Sequence, residues 1–214
     1  MSLILIIGES GSGKSVSIRN LNCNNTRIIK IIDKPFPFKE KETKLTSFVS
    51  DNWNKVITAI NKVDENKEIK TLVIDDFQYL MSNEFIRRVD EKGWDKFNDI
   101  AYHTWSILDR AAKCRSDLDI IFLTHSNTDD YGKSRCKTIG KLLDEKICIE
   151  GLFTIVFHSK IIEDKYVFQT QSDSSTIAKT PIGMFEEKYI PNDLNNILNE
   201  INKYYDKNIG ENND

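Results

Sequence analysis

The most constraining feature of the chain is an uninterrupted aliphatic run, Leu3 to Ile7, that empties directly into Gly8-Glu9-Ser10-Gly11-Ser12-Gly13-Lys14-Ser15. A run with no polar alternation reads as a strand covered on both faces, the pattern of a parallel sheet with helices on each side. The eight residues after it meet every fixed position of the Walker A pattern. That pattern has a physical basis: glycines let the backbone curl so that several amides face one point, a lysine adds a mobile charge, and a hydroxyl can reach a magnesium ion. A helix starting near Lys14, continued by Val16, Ile18 and Leu21, would aim its positive end at the same point.

The rest of the chain extends the alternation. Arg27 to Asp33 is a second apolar run, residues 34 to 50 have no usable period and read as an exposed connection, and Trp53, Val56, Ile57, Ile60 and Val63 mark a helix capped by Ser50 or Asp51. Thr71 to Asp76 is another buried strand. A long helical region follows, broken at Gly93, then the strand Asp119 to His125, a polar loop from Ser126 to Lys137, and a short helix near Thr138 to Glu145. Leu152 to Ile162 and Tyr166 to Gln171 form a C-terminal β-hairpin turning at Glu163-Asp164-Lys165. A helix from Asn192 to Tyr205 closes the body. The predicted fold class is α/β: a P-loop NTPase with a mainly parallel sheet flanked by helices, one domain over residues 1–205 and a polar tail over 206–214.

With 214 residues and 39% hydrophobic content the chain can enclose one sizeable core. Its formal charge of −3 supplies no global basic field, so any nucleic-acid contact has to be local. The cysteines, Cys23, Cys114, Cys136 and Cys148, are scattered, and with the histidines they complete no zinc spacing. No stretch approaches the roughly 20 apolar residues of a membrane span. The expected location is the cytoplasm, with no membrane partner.

Leu72-Val73-Ile74-Asp75-Asp76 has the form of a Walker B segment, an apolar strand ending in carboxylate. Magnesium prefers hard oxygen ligands and keeps waters, so Asp75 can hold it beside Ser15. Asp76 is then placed to orient an attacking water, and Asp33, after the second strand, is the other candidate acid. Thr124 and His125 end the next strand, where His125 could donate to the γ-phosphate or to the water. Capping of the following helix would equally favour aspartate at 75 and 76, and a strand-end histidine can be purely structural.

Taken together, Gly8 to Ser15, Asp75-Asp76-Phe77-Gln78, Thr124-His125-Ser126 and Lys179-Thr180-Pro181-Ile182-Gly183-Met184-Phe185 resemble phage-encoded nucleotide-binding ATPases of the AAA/RecA-like superfamily, the RecA-core-only proteins of phage recombination modules. The resemblance spans nearly the whole chain. It implies ATP and Mg2+ as cofactors, an ATP-dependent homo-oligomer, and action on single-stranded DNA with a single-strand-binding or annealing protein. Two departures stand out: the second Walker B acid is aspartate, and no clear arginine finger is present.

Within that reading Lys133, Arg135 and Lys137 are candidates to contact DNA phosphates or a neighbouring subunit's nucleotide, with Tyr131 as a stacking face. Asp129 and Asp130 offset part of that charge. The connection carrying Lys34, Lys39, Lys41, Lys44, Phe36 and Phe38 is a second candidate surface. Two other functions fit the same loop: a small-molecule or nucleotide kinase, and a nucleotide-switched loader-like or scaffold protein.

Overall fold

A computed structural model describes residues 2–207. In chain order the elements are β1 (Leu3–Gly8), β2 (Thr26–Lys30), α1 (Glu40–Thr43), β3 (Thr46–Val49), α2 (Trp53–Glu65), β4 (Thr71–Asp75), α3 (Gln78–Arg87), α4 (Asp95–Ala112), β5 (Asp119–Thr128), β6 (Ser134–Cys136), β7 (Ile155–Ile162), β8 (Lys165–Gln169), β9 (Tyr189–Pro191) and α5 (Leu194–Tyr204). The sheet runs in the order β3-β2-β4-β5-β1-β7-β8-β9, with β6 paired to β5 off this path. From β3 to β7 the pairs are parallel, and β8 and β9 are added antiparallel.

The strands are apolar on both sides because both sides are covered. Leu5, Ile7, Leu72, Ile74, Ile120 and Phe122 face one core, closed by Val56 and Ile60 of α2, Leu80 and Met81 of α3, and Ile100, Ile107 and Leu108 of α4. The alternate residues Ile4, Ile6, Val73, Ile121 and Leu123 face a second core, closed by Ile18 and by Leu194, Ile197, Leu198 and Ile201 of α5. Each such fully buried aliphatic side chain contributes about 1.5–3 kcal/mol relative to exposure, so the alternation fixes the strand register. This is a mixed α/β fold with a mostly parallel central sheet flanked by helices, and the expected C-terminal hairpin is present as β7 and β8. Among the described residues no helix is long and apolar enough to cross a membrane.

Several local expectations need correction. The connection over residues 34–50 contains a one-turn helix and an exposed edge strand, β3, since Thr46, Phe48 and Val49 suit an extended backbone whose outer side lacks a cover. Of the two aromatic residues in the candidate surface, Phe36 is buried, stacks on the half-buried Phe38 at 5.1 Å and carries the Lys30 ammonium 4.6 Å from its ring. Helix α2 is capped by Asn52, whose side chain accepts from the Lys55 amide at 3.1 Å, while Asp51 pairs with Arg87. The polar loop from Ser126 is largely a hairpin, because β5 continues to Thr128 and returns as β6. The helix expected near residues 138–145 is a single widened turn, Leu142–Lys146. The break at Gly93 is where the sequence places it, at φ 90°.

Residues 208–214 of the expected polar tail lie outside the described residues. Of the tail's first two, Lys207 is held to the body, donating from Nζ to Asp119 at 2.6 Å and to the Ser2 hydroxyl at 2.9 Å.

Candidate functional site

The carboxyl ends of β1, β4 and β5 converge, and in an open α/β sheet this is the edge where ligands bind. Parallel pairing sets Gly8 opposite His125 and Ile74 opposite Phe122, so the glycine loop, Asp75-Asp76 and His125 end on one rim.

The glycine loop leaves β1 at Gly8. A Cβ there would lie 2.6 Å from the Ser12 hydroxyl and 2.7 Å from the Ser159 carbonyl, so only glycine allows the loop to close on β7. Gly13 has φ 96°, which L side chains avoid, and a Cβ would meet the Tyr166 ring at 2.5 Å. The loop is therefore held from the C-terminal half of the chain. Ser159 donates to the Ser12 carbonyl at 2.7 Å and the Asn192 amide group to the Gly13 carbonyl at 3.2 Å. Sequence reading missed these supports, which belong to β7, β8 and the segment after β9; the positive signal was only the hairpin.

Lys14 is buried inside the loop, its ammonium donating to the carbonyls of Gly8 at 2.8 Å and Glu9 at 2.7 Å. Burial lowers its pKa to about 8 against the raising effect of Asp76 and Asp75. The short helix expected after the loop is present as a two-turn 3-10 helix, Ser15–Asn20.

Ser15 donates from Oγ to Asp75 Oδ1 at 2.9 Å, joining the loop to the end of β4. Asp75 is buried, and that burial together with the adjacent charge of Asp76 raises its pKa to about 6. Asp76 is also buried and holds φ 61°, a left-handed backbone uncommon outside glycine. One carboxylate oxygen lies 2.5 Å from Lys34 Nζ and the other 3.5 Å from His125 Nε2. Burial pushes Asp76 upward, but His125 and Lys34 outweigh it and hold the carboxyl below its ordinary value.

Of the other sequence candidates, Asp33 is exposed past the end of β2, and its neighbour Lys34 is the residue that reaches Asp76. His125 sits edge-on to Tyr79 at 5.5 Å. Thr124 is fully buried, its hydroxyl accepting from the Cys136 thiol at 3.8 Å. Lys133, Arg135 and Lys137 lie along the return of the β5–β6 hairpin, where Ser134 and Cys136 point inward. Arg135 and Lys137 are exposed and Lys133 half-buried, and Asp129 lies 3.9 Å from Arg135.

Among the described residues no three His, Cys, Asp or Glu side chains gather as a metal cage. The oxygens of Ser15 and Asp75 are instead a pair of hard donors of the kind magnesium uses when water and ligand phosphates complete its shell. No protein-family model and no curated protein matches this chain.

Proposed function

We propose that the chain is a P-loop NTPase that binds ATP with Mg2+ at the glycine loop and hydrolyses it. The observation that carries this reading is the Ser15–Asp75 hydrogen bond beside a buried Lys14, which ties a phosphate-binding loop to a strand-end carboxylate through two magnesium-type oxygens. The order β2-β4-β5-β1-β7, with β5 between the loop strand and the carboxylate strand, supports placing the chain with ATPases that carry an added strand there.

In this reading the loop amides and Lys14 bind and orient the phosphates, and Ser15 and Asp75 hold the ion. Magnesium, when bound, offsets charge on the β- and γ-phosphates. Asp76, kept ionised by Lys34 and His125, and His125 itself orient the attacking water. Asp33 remains a second candidate acid, one that would have to be brought in from the surface.

The reading extends to single-stranded DNA in phage recombination or replication, as part of an ATP-dependent oligomer. Support comes from the return of the hairpin after β5, which carries Lys133, Arg135 and Lys137 within five residues, Arg135 and Lys137 exposed, as local cations that phosphates of a single strand could contact. The test is phosphate release from Mg-ATP with and without single-stranded DNA. The proposal expects release that DNA accelerates. ADP appearing with a phosphorylated acceptor would favour a kinase, and slow release indifferent to DNA would favour a nucleotide-switched loader or scaffold.

A further inference from the structure

The sheet ends on one side in β3, and that edge is open. Among the described residues β3 pairs with β2 alone, and all four of its residues are exposed. Ser50 donates to the Lys30 carbonyl at 3.0 Å, and the residues that bond a neighbour alternate along a parallel ladder, so the amides and carbonyls of Ser47 and Val49 face outward. Natural edges are commonly guarded by lysine or proline. Thr46-Ser47-Phe48-Val49 carries neither.

The same strand forms one wall of a groove of about 520 Å³, and α2 forms the other. Pairing sets Phe48 opposite Ile29, which faces the α2 core, so the Phe48 ring, 44% exposed, stands on the groove side. Half-buried Ala59 continues the apolar surface across the groove. Arg27, Lys55 and Lys62 line it, with no carboxylate among the described lining residues, in a chain whose formal charge is −3. Lys55 and Lys62 are exposed and among the described residues neither forms an ion pair. Asp64, beside them on α2, is taken up by Arg110 and Arg115.

Edge and groove together select the occupant. Outward amides and outward carbonyls need a partner that both donates and accepts at strand spacing, which a peptide backbone does and a phosphate chain does not. An edge of two outward residues binds weakly by backbone alone, so the groove has to supply the rest. It offers apolar contact at Phe48 and unpaired ammonium groups that call for carboxylates. Helix α2 connects β3 to β4, which run the same way, and so returns alongside them; this spreads Lys55 and Lys62, about 10 Å apart on the helix, along the length of β3. Same-side residues of an added strand recur about every 7 Å, a mismatch that flexible lysine stems absorb.

We propose that the β3 edge and its groove dock an extended acidic segment of a partner protein, which joins the sheet beside β3, sets an apolar side chain against Phe48 and places carboxylates on Lys55 and Lys62. Strands β2, β4 and β5 separate this surface from β1 and the glycine loop, so it stands whether or not that loop holds a nucleotide.

The test follows the backbone amide signals of the full chain by NMR during titration with a heptapeptide of threonines that has glutamate, valine and glutamate at its second, fourth and sixth positions. The expected result is a saturable change at Ser47 and Val49, retained in Lys14→Ala and weakened at least about tenfold, roughly 1.4 kcal/mol, when Lys55→Glu and Lys62→Glu are combined. That double variant, whose substitutions are both on the surface, is expected to take up instead the same peptide with lysine in place of glutamate. Methylating the amide nitrogens of the acidic peptide is expected to abolish its binding. Ser47 and Val49 unmoved by the acidic peptide, an equal response of the unaltered chain to the lysine peptide, or undiminished binding of the methylated peptide would overturn the proposal. A single-stranded oligonucleotide that moves the same amides at lower concentration than the acidic peptide would also overturn it, by making the surface one for nucleic acid.

Discussion

Ser15 and Asp75, 60 residues apart in sequence, meet through a single hydrogen bond of 2.9 Å between Ser15 Oγ and Asp75 Oδ1. If both oxygens serve one ion, their contributions to nucleotide binding are not additive. Ser15→Ala and Asp75→Asn are each expected to weaken Mg-dependent ATP binding about tenfold or more, about 1.4 kcal/mol, with the double variant little worse than the poorer single. Magnesium titrations of bound fluorescent nucleotide across the four proteins check this, and additive losses would show that the two side chains act separately.

Gly13 combines a left-handed backbone with a ring 2.5 Å from the Cβ it lacks. Gly13→Ala is expected to cost about 1–2 kcal/mol for the backbone alone and more for the collision with Tyr166. Urea unfolding of Gly13→Ala, Tyr166→Ala and the double variant separates the two. The double variant should be more stable than the sum of the single losses implies, because removing the ring relieves the collision and leaves the backbone cost.

Lys34 and Asp76 are 2.5 Å apart, the carboxylate buried and the ammonium half-exposed. Solvent at Lys34 limits what the pair adds to stability to about 1 kcal/mol, yet the lysine also keeps Asp76 ionised beside Asp75. Lys34→Met is therefore expected to change unfolding free energy slightly while lowering the rate of ATP hydrolysis several-fold at pH 7. A hydrolysis rate equal to that of the unaltered chain would remove Lys34 from the site.

His158 gives a pH dependence with a definite sign. Its folded pKa is about 4 against 6.5 for the free side chain. Between those values the unfolded chain takes a proton that the fold refuses, so stability is full above the upper value and is lost as pH falls through the window. Asp75, raised to about 6 from 3.8, works oppositely in nearly the same range, so the His158 effect is read as a difference between proteins. Relative to His158→Gln, the unaltered chain is expected to lose about 2 kcal/mol between pH 7 and 5 in urea unfolding. An equal loss in both proteins would show that His158 titrates normally in the fold.

How much of this the sequence discloses follows from the range of the forces involved. The strands β1, β4 and β5 and the loop residues Gly8 to Ser15 are legible because unbroken aliphatic runs and glycine spacing are local signals. Asp75 and His125 are legible because they end such runs. Lys34 is hidden among other lysines in a segment without period, and only the pairing of β2 with β4 brings it to Asp76. Tyr166, Ser159 and Asn192 are hidden for the same reason, since nothing near them in sequence indicates that they close on Gly8 and Gly13. The β5–β6 hairpin reads as a loop because its return strand has three residues, too few to show alternation.

The central claim is that the glycine loop is a nucleotide site whose lysine acts on the phosphates, and calorimetric titration of Mg-ATP into the unaltered chain and Lys14→Ala tests it most directly. Saturable binding to the first and an affinity lower by at least about tenfold, about 1.4 kcal/mol, in the second is the predicted result. Equal affinity in the two proteins, or no binding to the unaltered chain, would contradict it.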